Sequence, residues 1–155
     1  MPSQTDARLD HLGIVLPTAA APAANYVPYV VSGHLVFISG QLPMRDGQLQ
    51  CQGKLGAKIS LEDGRAAARL VGLNILAQVK AACGGNLDRV RRCVKLGGFV
   101  NSTPEFTEQA KVINGASDLM VEVLEERGRH ARAAVSAPAL PFDAAVEIEA
   151  IFEIA

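Results

Sequence analysis

The stretch Val146-Glu147-Ile148-Glu149-Ala150-Ile151-Phe152-Glu153-Ile154 alternates apolar and polar side chains with one interruption. Successive side chains of a strand point to opposite faces. The pattern therefore predicts a strand with Val146, Ile148, Ala150, Phe152 and Ile154 turned into a core. Glu147, Glu149, Ile151 and Glu153 share the other face. That second face reads either as a solvated surface or as the lining of a gap against another subunit.

The neighbouring segment Ala131-Arg132-Ala133-Ala134-Val135 reads as a strand of small residues, running from Arg132 to Pro138. It offers room for one long cation, Arg132, to lie over its neighbours. Antiparallel pairing of this strand with the last one, through the connection 138–143, would bring Arg132 near Glu147. The pair reads as a surface ion pair, which contributes little, or as chemistry in a cleft. There an Arg is shaped to hold a carboxylate through two hydrogen bonds, and a Glu can direct or deprotonate a water.

Further upstream, Val30-Val31 and Leu35-Val36-Phe37-Ile38 flank Ser32-Gly33-His34 and predict a hairpin. It ends at Ser39-Gly40-Gln41-Leu42-Pro43. Arg45 to Lys58 is a polar loop. Ser60 is placed to cap a helix over 61–83, with Glu62 and Asp63 in its first turn. Leu70, Leu73 and Ala77 form the apolar stripe of that helix, and Gly84-Gly85 stop it. Val90 to Val100 returns to strand character. A second helix is expected from Phe106 to Arg127, weakened at Asn114-Gly115 because both are poor helix formers. Arg8 to Leu12 has the spacing of one helical turn.

The element order β-β-α-β-α-β-β, with a hairpin at each end, favours an α+β sandwich: a mixed sheet with two helices on one face. The 155 residues are expected to form a single domain, with 1–24 as an N-terminal extension and an Ala-Pro linker.

Composition excludes several function classes. The net charge is −1, so the chain lacks the basic excess that releases counterions from nucleic acid. With no Trp and 5% aromatic residues it makes a poor base-stacking platform. Cys51, Cys83 and Cys93 are widely spaced and odd in number, which argues against a disulfide framework or a zinc site. No basic region precedes an apolar run at the N-terminus, and no stretch is long enough for a membrane helix. A cytoplasmic protein without metal, cofactor or membrane partner is the expectation.

Ser39-Gly40-Gln41-Leu42-Pro43, Phe99-Val100-Asn101, Val112-Ile113-Asn114, Ala131-Arg132, Leu140-Pro141 and Val146-Glu147-Ile148-Glu149 fall at fixed spacing. Together they resemble the RidA/YjgF family, over roughly residues 26–154. Names in that family include reactive intermediate deaminase, L-PSP endoribonuclease and translation initiation inhibitor. The longer N-terminus and the segments 53–57 and 112–117 look like a longer bacterial branch of it.

The resemblance implies a chorismate-mutase-like fold and a homotrimer with ligand clefts between subunits. It also implies cofactor-free hydrolysis of 2-imino or 2-enamino acids to 2-keto acids and ammonia. On that pattern Arg132 holds the substrate carboxylate and Glu147 positions the attacking water, while Tyr26, Ser39, Gly40 and Asn114 line or support the cleft. Two positions depart from the pattern. Ala134 stands where deaminases of the family often have Cys, and His130 stands where Pro is common before Ala131-Arg132.

Two other readings stay open. One is a protein that binds a small carboxylate or other metabolite in the same cleft without turnover. The other is a ribonuclease or translation inhibitor, whose only support is the cluster Arg89-Val90-Arg91-Arg92.

Overall fold

The computed structural model describes residues 3–21 and 24–155. The reading of 19–24 as a linker falls partly on Pro22 and Ala23, and that of 1–24 as an extension partly on Met1 and Pro2; all four lie outside the described residues. The main strands are β1 (Tyr29–Ser32), β2 (Leu35–Gln41), β5 (Val90–Asn101), β6 (Ala131–Ala137) and β7 (Val146–Ile154). They form one mixed sheet in the order β1-β2-β7-β5-β6. Helices α2 (Leu61–Ala82) and α3 (Gln109–Leu124) pack on one face of it, as the element order predicts.

Three features extend that order. Helix α1 (Gln4–Leu12) precedes the sheet. The two-stranded pair β3 (Met44–Arg45) and β4 (Gln48–Leu49) sits inside the polar loop. Short 3-10 turns follow α2 and α3 and precede β7.

The core follows the alternation of β7. Val146, Ile148, Ala150, Phe152 and Ile154 are all buried against Leu96, Val100, Val71, Ile75 and their neighbours. Ser60 caps α2 as expected, its Oγ accepting from the Asp63 N–H at 3.1 Å. Helix α3 starts at Gln109, later than Phe106, and its N-cap residue Glu108 makes no side-chain cap hydrogen bond. Its Gly115 is a packing requirement: a Cβ there would collide with the backbone carbonyl of Arg65 in α2. The poor helix former is thus what lets the two helices approach.

The pairing expected for Arg132 is overturned. β6 lies parallel to β5, and β7 runs antiparallel between β5 and β2. No hairpin closes the chain. Helix α3 supplies the crossover that a parallel β5-β6 pair requires. Arg132 is opposite Leu96, and Leu96 is opposite Ala150, both buried on the helix face. Glu147 is opposite Phe99, and Phe99 is opposite Val135, on the open face. The two side chains therefore leave opposite faces of the sheet, with β5 between their strands.

Helix α1 is fastened by Asp88. Its carboxylate accepts from the Gln4 N–H and Thr5 N–H, each at 2.9 Å, and from Thr5 Oγ1 at 2.7 Å. Arg127 Nη2 donates to Thr5 Oγ1 at 3.1 Å. Thr5 and Leu9 are buried beneath the helix.

Candidate active site

The strand pair β2-β7 carries an extra residue on β2 between Ile38 and Gln41, a bulge that contains Ser39 and Gly40. Bulges re-aim side chains and twist a strand locally. Here the bulge sets Gly40 against the side chain of Glu147, where a Cβ would collide with Oε2. The missing side chain is what gives Glu147 its place.

Glu147 and Gly40 line a cavity of about 370 Å³, together with Tyr26, Leu42, Met44 and Phe142. Burial pushes the Glu147 carboxyl above its ordinary value, and Glu149 on the same face pushes it further. The cavity thus holds a carboxyl whose charged form is disfavoured by burial and by a neighbouring carboxylate, a perturbation of the kind that clusters at functional sites.

Ser39 is a support. Its Oγ donates to the Val27 carbonyl at 2.7 Å, and its N–H donates to the Pro28 carbonyl at 2.9 Å. These bonds tie the segment bearing Tyr26 to β2.

Arg132 belongs to a second cluster, between β6 and α3. Its Nη1 donates to Asn114 Oδ1 at 2.7 Å and to Ser117 Oγ at 3.1 Å. Among the described residues, its Nη2 and Nε donate to no protein group. Half of the guanidinium fork stays available for a carboxylate.

Behind it, His130 Nδ1 lies 2.6 Å from the Gly128 carbonyl, which can only accept. The ring proton is therefore on Nδ1, and Nε2 accepts from the Ser117 hydroxyl at 2.9 Å. A directed chain runs from Arg132 through Ser117 and His130 to Gly128. His130, the departure from Pro, is thus part of the arginine's support.

One chain therefore holds two half-sites. Tyr26, Gly40 and Glu147 line the first, with Ser39 supporting it; Arg132 and Asn114 form the second. Ser117 was not expected from the sequence, nor were Asn74 and Gln78. The last two stand one turn apart on an otherwise apolar stretch of α2, and that misfit was their signal. Pro17, Thr18, Ala20 and Ala21 also line the cavity and carried no such signal.

Among the described residues no cluster of His, Cys, Asp and Glu could hold a metal ion. Cys83 and Cys93 are buried free thiols and Cys51 is half-buried. Burial pushes the Cys93 thiol up to about 12. Among the described residues no helix is long and apolar enough to cross a membrane.

The family model described as "YjgF/chorismate_mutase-like, putative endoribonuclease" matches residues 6–154. The chain belongs to this YjgF (RidA) family. Within the family it is 55% identical to Protein TCP17 of Trypanosoma cruzi, over 96% of this chain and 92% of that one. The protein Atu1372 from Agrobacterium tumefaciens, of unknown function and solved as a crystal structure, is 53% identical. It superposes with a TM-score of 0.91 over 97% of this chain and 92% of its own. Escherichia coli TdcF, solved with bound serine, shares the fold at 24% identity and a TM-score of 0.63, over 91% of this chain and 98% of its own.

Proposed function

We propose that this YjgF-family protein hydrolyses 2-imino or 2-enamino acids to 2-keto acids and ammonia. The reaction takes place in clefts where Arg132 of one copy faces Glu147 of the next. The observation that carries this reading is Glu147, a half-buried carboxyl of raised pKa set over Gly40 in a small cavity.

The Glu147 carboxylate takes a proton from water as the water oxygen bonds to C2 of the protonated imine, and the C=N electron pair moves to nitrogen. Glu147 then returns the proton to the amino group. Glu147, a carboxylate again, takes the C2 hydroxyl proton as the C–N bond breaks and the keto C=O forms, and it passes that proton to the departing ammonia, which leaves as ammonium. Arg132 holds the substrate carboxylate through the donors that Asn114 and Ser117 leave free, which orients C2. An imine is already electrophilic, so the scheme needs no metal, cofactor or thiol, and Ala134 in place of Cys is no obstacle.

Two copies are needed because Arg132 and Glu147 leave opposite faces of one sheet. The open face supports association: Val30, Leu35, Phe37 and Val135 are exposed there, an apolar surface of the kind that marks an interface. A homotrimer is the assembly proposed, and light scattering should return three times the chain mass.

The hydrolase reading is tested by generating imines with an L-amino-acid oxidase and timing keto-acid release. The protein should accelerate release. Glu147→Gln should abolish the acceleration, Arg132→Ala should weaken it sharply at low substrate concentration, and heteromers refolded from the two variants should regain part of it. No acceleration by the wild-type protein defeats the reading.

Serine bound to TdcF supports a second reading, a small-ligand binding protein. It predicts ligand-dependent melting shifts without turnover. The ribonuclease named in the family description finds less support, since the chain is almost neutral. Salt-dependent RNA binding lost on neutralising Arg91 and Arg92 would favour it.

A further inference from the structure

The cavity above Glu147 has an unusual wall. Pro17, Thr18, Ala20 and Ala21, from the chain ahead of β1, close one side of it. They are held by a buried amide: Gln78 of α2, 2% exposed, donates its Nε2 to the Ala20 carbonyl at 3.0 Å. One turn earlier on the same helix, Asn74 Nδ2 donates to the carbonyls of Leu42 and Met44, each at 3.0 Å. Two amides in an apolar helix thus fix two facing walls. Burying such groups costs free energy unless each finds a partner, and here the partners are the backbone segments that shape the cavity.

The chemistry of the lining is lopsided. Tyr26, Pro28, Leu42, Met44 and Phe142 contribute apolar surface, and among the described residues its carboxylic acids are Glu147 and Asp46 and no Lys or Arg lines it. A ligand carboxylate is repelled from such a space, whereas a hydrocarbon group gains by entering it. At about 370 Å³ it has room for a branched alkyl or benzyl group with Glu147 still beside the neighbouring carbon.

We propose that this cavity is a side-chain subsite, and that the N-terminal wall makes the protein selective for ligands bearing a branched aliphatic or aromatic group. This rests on the reading of Glu147 as the residue beside the reacting carbon. The carboxylate of the bound 2-imino or 2-oxo acid points out toward an arginine, and its side chain points in between Phe142, Met44 and the wall.

The test has two arms. In the first, imines generated from alanine, leucine and phenylalanine are compared as substrates. The leucine- and phenylalanine-derived imines should exceed the alanine-derived one by at least about tenfold in kcat/KM, the order one or more buried methylenes provide. Ala21→Trp, which fills the cavity from an exposed wall position, should lower the two large substrates at least about tenfold and leave the small one within about twofold. Thr18→Trp repeats the experiment from the same wall. Preference for the alanine-derived imine, or an equal loss on all three, overturns the proposal.

The second arm needs no turnover. Pyruvate, 4-methyl-2-oxopentanoate and phenylpyruvate are titrated calorimetrically into wild type and Ala21→Trp. Tighter binding of the two larger acids, lost in the variant, carries the subsite even if no imine is hydrolysed, in which case only the hydrolase reading fails. Equal binding of the three acids, or none, overturns the subsite whatever the turnover result.

Discussion

Gly40 lies directly beneath the carboxylate of Glu147, in the β2 bulge, and a Cβ at position 40 would meet Oε2 and the atoms behind it. The colliding atoms are the far end of a flexible side chain, so the clash can be relieved by turning Glu147 aside. Gly40→Ala should therefore cost little stability, below about 1 kcal/mol, while removing the carboxylate from the position the proposed water attack needs. The expected result is an almost unchanged melting curve with a fall in kcat of at least about tenfold, that is 1.4 kcal/mol. An unchanged kcat would mean that Glu147 does not act from this position.

Arg132 is held by Asn114 and Ser117 through one nitrogen. Losing a charge-assisted hydrogen bond to a ligand costs about 1.5–3 kcal/mol. Arg132→Ala should raise KM or the dissociation constant of a 2-oxo acid by roughly tenfold to a hundredfold. Ser117→Ala keeps the guanidinium and removes its link to His130, so a smaller rise with kcat retained is expected. Steady-state kinetics on both variants checks this; equal effects would place Ser117 in the chemistry itself.

The pH dependence follows from burial. Glu147 must be ionised to take a proton from water, and burial raises its pKa. The acid limb of kcat/KM should therefore lie above the ordinary carboxylate value of 4.5. The sign for stability is the opposite of the usual carboxylate case: the folded state holds this proton more tightly, so Glu147 weakens the fold as pH rises through its pKa. Glu147→Gln should melt at or above the wild-type temperature at neutral pH, while abolishing turnover. An acid limb at or below 4.5 would assign the limb to another group.

Asp88 titrates the other way. Its hydrogen bonds from Thr5, with those from Gln4 and the nearby Arg127, hold its carboxyl below the ordinary value. It contributes stability that is present above its unfolded pKa and lost as pH falls through the folded one. Asp88→Asn should lower Tm at pH 7, and the gap to wild type should close as the solution is acidified toward pH ~3. A gap independent of pH would make the effect one of shape, not charge.

Gly115→Ala sets two magnitudes against each other. Ala gains about 1 kcal/mol over Gly in a helix interior. Overpacking a filled contact costs about 1–3 kcal/mol, and here the obstacle is the rigid backbone carbonyl of Arg65. The collision should win, and chemical denaturation should show a net loss of stability.

Much of the fold was legible because it rests on periodicity. The alternation of β7, the Ser60 cap and the stripe of α2 each state their structure locally. The partner of β6 did not. Its Ala-rich sequence carries no strong period, and the short connection 138–143 suits a hairpin as well as a return to the far side of β5. The pairing is decided by α3, whose helix carries the chain across the sheet, and that is a tertiary fact. The site divides in the same way. The sequence singles out Gly40, Glu147, Asn114 and Arg132, and the structure puts them in two clusters. The wall Pro17–Ala21 is mute as sequence, because its role comes from a carbonyl that Gln78 grips from another element.

The opposite facing of Arg132 and Glu147 has a consequence for inheritance. In the proposed ring of three, each chain lends its arginine to one cleft and its glutamate to another. A chain defective in both would silence two clefts of the three while assembling normally. Such a subunit poisons its healthy neighbours, so damage to this protein would be genetically dominant, and harmless only when the faulty copy failed to fold.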